Sequence, residues 1–313
     1  MGKSKKIVAA AIQLDTEIGA TDKNLANCLR LAEQAVNQGA SWIALPEFFN
    51  TGVTGDARLV RAIEPENGKS AQFLQSFSKQ HSVVIGGSFM CRVLNQGVRN
   101  RYLCFSNGEL IGKHDKDLPT MMENAFYEGA NDGDTGYLGE VDGVKVGSAL
   151  CWEFMRTQTA KRLQGKIDVV MGGSHWWSLP ENFPAWITKK SEERNASNVV
   201  RSVQETARLI GAPVIHGSHC NKIQWKMFGL PFLYYKGVLE GFASIVDAEG
   251  NILAQMSKED GEGFVISEVD LNSVPSNRKI PRRFWLLDRT ALATLSWHLD
   301  GIMGRRWYRK NVR

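Results

Sequence analysis

Short apolar runs alternate with longer segments of helical periodicity along most of the chain. Apolar runs of this length are typical of buried strands, and they predict strands at residues 7–12, 42–46, 83–87, 101–105, 144–150, 169–171 and 213–215. Apolar positions that recur every three or four residues predict helices at residues 25–36, 71–79 and 195–210. Asp22 is a candidate cap for the first helix and Gly39 a candidate stop. This mixed order predicts an α/β fold of layered sheets with helices outside.

Other segments of the chain have the patterns of antiparallel strands. The turn sequence SNG at residues 106–108 predicts a β-hairpin whose second strand lies at residues 109–112. Further strands are predicted at residues 242–246, 252–254 and 263–269.

No linker rich in Gly, Pro and Ser interrupts the sequence, so residues 1–276 are predicted to form one domain. Residues 277–313 are rich in Arg and Trp and lack this rhythm, which indicates an extension that docks on the body or on a partner subunit.

The composition is that of a globular protein of modest charge. Apolar residues make up 43% of the chain, which is enough for a sizeable core, and the formal net charge is +5. Part of this charge comes from two short basic ends, at residues 3–6 and 305–310. Such ends can contact nucleic acid or anionic surfaces. A solvated tail is the favoured interpretation, so we expect no nucleic-acid partner.

The cysteines and the apolar segments indicate the compartment. Five scattered cysteines, an odd number with no CxxC pair, do not form a disulfide framework. The apolar run at residues 7–12 is too short for a signal-peptide core, and no stretch approaches the length of a membrane span. We therefore expect a cytoplasmic protein with free thiols and no membrane partner.

Cys151 is the first residue that suggests chemistry, because it lies where a predicted strand ends and a turn or helix begins. That position exposes a side chain at the sheet edge and can aim backbone N–H groups at one point. Both features suit a nucleophile and the oxyanion it generates. The alternative is a small core residue, which is what most free cysteines are.

Glu47 and Lys116 are the charged residues that could assist it. Glu47 directly follows the apolar run at residues 42–46, and desolvation there would raise its pKa into the range of a useful base. Lys116 lies shortly after the predicted hairpin, and a fixed ammonium can stabilise a thiolate or a tetrahedral intermediate. A helix cap or ion-pair partner for Glu47, and a solvated charge run for Lys116, are the alternatives.

Together, these segments resemble the nitrilase superfamily of carbon–nitrogen hydrolases. The resemblance rests on the segments LPEFF at residues 45–49, KDLPTMME at 116–123 and SALCWE at 148–153, whose order and separations are similar to those of the family's Glu-Lys-Cys triad. It also includes the strand that ends at Gln13 and the later segments 242–247 and 263–270, and it spans about residues 6–272. Each motif is short, but several in register make coincidence an inadequate explanation.

The resemblance implies a fold and a set of roles. It implies a four-layer αββα sandwich that forms a homo-oligomer and needs no metal or organic cofactor. It makes Glu47 the general base, Cys151 the nucleophile and Lys116 the electrostatic stabiliser. Glu123 matches a further glutamate of the family, one that positions the lysine or the substrate.

The motifs also bear on the substrate. The CWE sequence at residues 151–153, and the spacing between Lys116, Pro-Thr and Glu123, resemble nitrilases. The segments YEGANDG at 127–133 and GGSHWW at 172–177 depart from the nitrilase pattern and leave the substrate class open. We expect hydrolysis of a small-molecule nitrile to a carboxylic acid and ammonia, with an amidase or carbamoyl-amide hydrolase as the alternative.

Several residues around the predicted triad allow further interpretations. Trp152, His175 and Trp176 are expected to bind substrate, since aromatic side chains in a pocket wall suit an apolar ligand, although core packing is the alternative. His216 and His219 fit no usual structural zinc spacing, and a Cys–His pair with Cys151 is a minor option. An acyltransferase and a non-enzymatic scaffold are rival functions. They are disfavoured because membrane spans are absent and all triad positions are filled.

Overall fold

The computed structural model describes residues 5–130, 133–227, 230–271, 276 and 278–313. The strands are β1 (Lys6–Leu14), β2 (Trp42–Ala44), β3 (Glu64–Pro65), β4 (Val84–Val93), β5 (Gly97–Ser106), β6 (Glu109–Asp115), β7 (Tyr137–Val141), β8 (Val144–Leu150), β9 (Val169–Gly173), β10 (Val214–His219), β11 (Lys222–Met227), β12 (Leu230–Val238), β13 (Ser244–Val246), β14 (Ile252–Gln255) and β15 (Gly263–Asp270). The α-helices are α1 (Thr21–Asn37), α2 (Lys69–His81), α3 (Thr157–Leu163), α4 (Ala185–Ile210) and α5 (Ala291–Asn311). Short 3₁₀ turns lie at Ala57–Ala62, Met121–Ala125, Cys151–Glu153 and Lys258–Asp260.

Most strands belong to one 13-stranded sheet that divides into two halves at β1. The first half contains β1–β6 and β15, and the second contains β7–β10, β13 and β14. β1 pairs in parallel with β2 of its own half and, through Gln13 and Leu14, in parallel with β10 of the other. The strands β11 and β12 form a separate hairpin. The end of β1 is therefore the seam at which the two halves meet.

Three apolar clusters show how the halves and helices stack. One lies between the first half and the helices α1 and α2, one between the two halves, and one between the second half and the helices α3 and α4. Side chains alternate along β1, so Ala10 and Ile12 face the helices while Ala9 and Ala11 face the other half. This helix–sheet–sheet–helix order confirms the predicted four-layer αββα sandwich.

Local patterns predicted most elements but not all their ends. The SNG turn forms as predicted, with Asn107 and Gly108 both at positive φ, 51° and 84°. Asp22 lies in the first turn of α1 and does not cap it, since the cap position is Ala20. The helix predicted at residues 195–210 begins earlier, at Ala185. The sequence pattern missed its first part because residues 188–194 are polar and carry no apolar periodicity.

The C-terminal segment contains a helix that its sequence pattern does not indicate. α5 packs against the 3₁₀ turn Met121–Ala125, while Leu286 and Leu287 are buried against the second half of the sheet. Tyr308 joins a fourth apolar cluster near the start of β5. Residues 3–4 of the basic N-terminal end and the predicted boundary at 277 lie outside the described residues. No helix within the described ranges is long and apolar enough to cross a membrane.

Gly304 allows α5 to approach the turn Met121–Ala125 at backbone distance. A Cβ at this position would lie 2.9 Å from the backbone nitrogen of Ala125 and 2.9 Å from the Cβ of Asn124. At Gly301, one turn earlier, a Cβ would meet only the flexible end of Arg305 at 3.2 Å and Asn124 at 3.7 Å. A methyl group at position 304 would therefore collide with backbone, whereas one at position 301 would only displace a flexible side chain.

We expect Gly304→Ala to lower the free energy of unfolding by about 1–3 kcal/mol, because the added methyl group collides with backbone. Gly301→Ala is the matched control in the same helix. It should be neutral or stabilising by up to about 1 kcal/mol, since alanine favours helix over glycine. Thermal and urea denaturation of both variants measures the difference, and equal effects would contradict docking of α5 through Gly304.

Candidate active site

The sheet brings four strand ends to one edge. β6 and β4 both run antiparallel to β5, and the parallel pairs β4–β2, β2–β1, β1–β10, β10–β9 and β9–β8 carry the same direction through the seam. The carboxyl ends of strands that run in one direction lie at the same edge. Glu47 follows β2, Lys116 follows β6, Cys151 follows β8 and His175 follows β9. Residues far apart in the sequence therefore meet there.

Glu47 is fully buried and both of its carboxylate oxygens are held. Oε1 accepts hydrogen bonds from Lys116 Nζ at 2.8 Å and from Asn100 Nδ2 at 2.9 Å. Oε2 accepts one from the backbone N–H of His175 at 3.1 Å. Donors from three parts of the chain therefore fix the carboxylate in one orientation.

Lys116 lies between two carboxylates. Its Nζ donates to Glu47 Oε1 at 2.8 Å and to Glu123 Oε2 at 2.7 Å, and all three side chains are buried. Glu123 Oε2 also accepts hydrogen bonds from the backbone N–H of Thr120 and from the hydroxyl of Tyr127. Burial opposes it, but Glu123 and Glu47 raise the pKa of Lys116 above its usual range. The ammonium therefore keeps its charge in the interior.

Cys151 faces this cluster from the end of β8. Its Sγ, one carboxylate oxygen of Glu47 and one of Glu123 all lie within 4.8 Å of one another. Its φ of 48° places the backbone in the left-handed region, which is uncommon for a residue with a side chain and marks the sharp change from strand to 3₁₀ turn. The predicted position of Cys151 at a strand end is thus a turn that projects the thiol toward the charged residues.

The electrostatics favour a protonated thiol beside a carboxylate base. Burial raises the pKa of the Glu47 carboxyl to about 7, because the attraction of Lys116 offsets desolvation only in part and Glu123 repels. Burial, then repulsion by Glu47, raises the pKa of the Cys151 thiol well above its usual range. A thiolate would add a negative charge beside two carboxylates. The arrangement therefore suits transfer of the thiol proton to Glu47 during attack, rather than a standing thiolate.

Glu47, Glu123 and Cys151 offer oxygen and sulfur ligands that a metal ion could use. Lys116 Nζ already lies within hydrogen-bonding distance of both carboxylates and supplies the positive charge between them. A metal ion in this space would have to compete with the ammonium. Lys116 therefore already acts as the cation of this cluster.

A second buried network joins the strand ends that carry Lys116 and Cys151. Glu153 Oε2 accepts hydrogen bonds from His114 Nε2 at 2.8 Å and from the backbone N–H of Leu150 at 2.9 Å, while Oε1 accepts from the backbone N–H of Asp117 at 3.0 Å. His114 also bonds Asp134 at 2.7 Å. Although burial opposes it, Glu153 and Asp134 raise the pKa of His114 to about 10, so the ring is charged and donates from both nitrogens. This network fixes the relative position of the two chain segments.

The segment after β9 supports Glu47 through its backbone. A Cβ at Gly173 would lie 2.7 Å from the Cα of Pro46, so glycine is required where β9 passes the residue before Glu47. His175 Nε2 accepts a hydrogen bond from the backbone N–H of Val53 at 3.2 Å. Burial and the nearby His219 lower the pKa of His175 well below its usual range, and the ring is neutral.

His216 and His219 are engaged away from the thiol. His216 bonds the Ser174 hydroxyl at 2.7 Å, and His219 bonds the Thr16 hydroxyl at 2.7 Å and the backbone carbonyl oxygen of Glu47 at 2.7 Å. Burial lowers the pKa of each histidine to about 4. Both are neutral residues that hold the backbone around the cluster.

A cavity of about 220 Å³ opens beside Cys151. Its wall is mainly apolar and aromatic, and it includes the predicted binding residues Trp152, His175 and Trp176. Trp152 stacks in parallel on Trp297 of α5, with ring centroids 5.3 Å apart. The thiol therefore faces a space shaped for a small, largely apolar molecule, and α5 forms part of its wall.

The structure thus brings Glu47, Lys116, Glu123 and Cys151 into one cluster. Sequence patterns did not indicate Asn100 and Tyr127, which hold Glu47 and Glu123. Asn100 lies inside a strand, and Tyr127 follows a 3₁₀ turn; neither position carries a local signal. They could be found only from the three-dimensional arrangement.

Comparison with known proteins places this chain in a family. The family model described as carbon-nitrogen hydrolase matches residues 8–279. Nitrilase homolog 2 of Dictyostelium discoideum is 20% identical over 280 residues, which cover 82% of this chain and 73% of that protein. Omega-amidase NIT2 of Mus musculus is 22% identical over 287 residues, which cover 86% of this chain and 91% of that protein.

A solved structure has the same fold. The carbon-nitrogen hydrolase from Helicobacter pylori G27 superimposes with a TM-score of 0.69 at 17% identity, covering 85% of this chain and 90% of that one. At this identity the likeness supports the fold, while the family assignment rests on the match over residues 8–279. The chain therefore belongs to the carbon–nitrogen hydrolase family and is an enzyme of that class.

Proposed function

We propose that this hydrolase cleaves the terminal carbon–nitrogen bond of a small nitrile or primary amide, with Cys151 as nucleophile. The observation that carries the proposal is the cluster itself. A buried thiol and two carboxylates lie within 4.8 Å of one another, at a cavity, with an ammonium between the carboxylates. This arrangement supplies a nucleophile, a base and a fixed positive charge at one point.

In the first half-reaction, Glu47 would accept the thiol proton as Sγ attacks the substrate carbon. An amide gives a tetrahedral intermediate, and a nitrile gives a thioimidate. Lys116 would offset the negative charge that develops, while Glu123 positions the ammonium. Glu47 then returns its proton to the nitrogen that leaves, so ammonia departs from the amide-derived intermediate and a thioester remains on Cys151.

In the second half-reaction, the same carboxylate would activate water. Water adds to the thioester carbon, its proton passes to Glu47, and the carbon–sulfur bond breaks to release the acid and restore the thiol. A thioimidate consumes one additional water and loses ammonia on the way to the thioester. A Glu47 carboxyl with a pKa of about 7 suits both directions of proton transfer at neutral pH.

Nitrile and amide are the two candidate substrates, and each has its own support. The CWE sequence at residues 151–153 and the spacing from Lys116 to Glu123 resemble nitrilases. The relative from Mus musculus, which matches over most of its length, is named an omega-amidase. Both substrates would be attacked by the same thiol and would converge on the same thioester. The two routes differ in the first adduct and in one additional water, and they use the same residues.

We also propose that residues 277–313 form an extension docked on the catalytic body. Packing of α5 against Met121–Ala125 and burial of Leu286 and Leu287 support this division. The homo-oligomer that the family resemblance implies stays a prediction. Light scattering at micromolar protein concentration tests it, and a monomer would contradict it.

We expect Cys151→Ala to abolish hydrolysis while the fold stays intact, and Glu47→Gln to reduce it by about two orders of magnitude or more. The wild type should release ammonia from some members of a panel of small nitriles and amides, with a mass adduct on Cys151. Cys220→Ala removes a partly exposed thiol and is the matched control. An active Cys151→Ala protein would overturn the mechanism, and the responding half of the panel separates nitrile from amide.

The rate should depend on the ionisation of Glu47. Its carboxyl has a pKa of about 7, and only the ionised form can accept the thiol proton, so kcat/KM should fall as the pH drops through about 7. A neutral substrate that does not titrate in this range should be used. A rate that stays constant across about pH 5–8 would contradict the role of Glu47 as base.

We expect Lys116→Met to lower stability by about 3–5 kcal/mol, because it leaves two buried carboxylates without their cation. Lys113→Met, an exposed position on the preceding strand, is the matched control and should have little effect. Adding Glu123→Gln to the Lys116→Met variant should recover part of the loss, since it removes one of the unpaired charges. Urea denaturation measures all three, and an equal effect at positions 113 and 116 would contradict the role of Lys116 as the cation of the cluster.

A further inference from the structure

The cavity beside Cys151 contains one carboxylate in a mainly apolar wall. Aromatic and methionine side chains make up about half of the lining residues. Asp300 is the only Asp, Glu, Lys or Arg among the described residues that line the cavity. A single charged group in such surroundings is the feature most able to discriminate between ligands.

Asp300 reaches the cavity because one face of α5 forms part of the wall. The lining residues of α5 are Ala293, Ser296, Asp300 and Met303, whose spacing of three and four residues defines one side of a helix. The family model ends at residue 279, before α5 begins. The carboxylate is therefore contributed by a segment outside the part of the chain that matches the family.

No cation of the described part of the chain is paired with Asp300. Its side chain is half-buried, and within the described ranges its carboxylate forms no hydrogen bond or ion pair. Burial raises the pKa of its carboxyl to about 6, without a cation to offset the effect, and the ionised form still dominates above neutral pH. Burying an unpaired carboxylate opposes stability, so a structural role does not account for it.

The other walls of the cavity also suit a cation. Trp225 and Tyr235, on β11 and β12, stack with ring centroids 3.9 Å apart, and Trp177 lies 6.2 Å from Trp225. Aromatic faces attract ammonium groups, and they do so more strongly where water is excluded. Carboxylate and aromatic rings together form the surroundings that favour an organic cation.

We propose that Asp300 is a specificity residue that binds an ammonium group on the substrate, so that the preferred substrates are amines carrying a terminal nitrile or amide. The inference rests on the proposed function for the reacting group, and it adds the second group that the pocket recognises. The alkyl chain between the two groups would lie along the apolar wall. Substrates with a carboxylate in place of the ammonium would be repelled by Asp300.

The test compares matched compounds. The wild type is assayed with 6-aminohexanamide and with heptanamide, which replaces the ammonium by a methyl group, and with the corresponding nitriles. We expect a higher kcat/KM for the amino compound. Asp300→Asn should lower kcat/KM for the amino compound by roughly tenfold to a hundredfold, chiefly through KM, and leave the value for the neutral compound unchanged.

Two variants serve as controls. Asp288→Asn removes a carboxylate whose side chain is 82% exposed and which lies outside the cavity, so it should change neither rate. Asp300→Glu keeps the charge and should retain the preference for the amino compound. An equal loss for both compounds in Asp300→Asn, or a wild type without preference, would overturn the proposal.

A binding measurement separates this inference from the proposed function. Hexylammonium and hexanol are titrated into the wild type and into Asp300→Asn by calorimetry, which requires no turnover. Tighter binding of hexylammonium that Asp300→Asn abolishes supports the cation site even if no nitrile or amide is hydrolysed. Equal affinity for the two ligands overturns the cation site even if hydrolysis by Cys151 is found.

Discussion

The ammonium of Lys116 between the carboxylates of Glu47 and Glu123 is the interaction on which the site depends. Without a cation, two buried carboxylates whose oxygens lie within 4.8 Å would repel each other strongly. One ammonium and two carboxylates leave the cluster with a single excess negative charge. Burial, reinforced by that excess charge, keeps the thiol of Cys151 protonated and raises the pKa of Glu47 to about 7, which suits the proposed role as base near neutrality.

The double sheet is what makes this cluster possible. Glu47 and Lys116 come from the first half of the sheet and Cys151 from the second, and the three strands before them end at the same edge. The buried network of Glu153 then links the end of β8 to the segment after β6. Because these supports are rigid strands and buried ion pairs, the thiol and the base keep their relative position without a substrate.

Sequence patterns predicted the parts of the molecule that have local signals. Apolar runs marked the strands, and the ends of these runs marked Glu47 and Cys151 as candidates, because both follow buried strands. Asn100 and Tyr127 escaped prediction, since their roles depend on contacts with distant residues. α5 escaped it for another reason. Its backbone approaches the body closely at Gly304, and a glycine contact adds nothing to an apolar stripe in the sequence.

The contrast between strand ends inside the matched domain and a helix beyond it bears on how specificity could arise in the family fold. The thiol, the proposed base and the ammonium belong to strand ends of the matched domain, where a change of position would disturb the sheet. The cavity wall is completed by α5, a helix beyond that domain, whose cavity-facing side chains can change without altering the strands. An unpaired carboxylate on such a helix lowers stability slightly and discriminates strongly between charged and neutral ligands. The proposed chemistry and the charge selection proposed for Asp300 are therefore carried by separate elements, and Gly304 sets how closely α5 is held to the body.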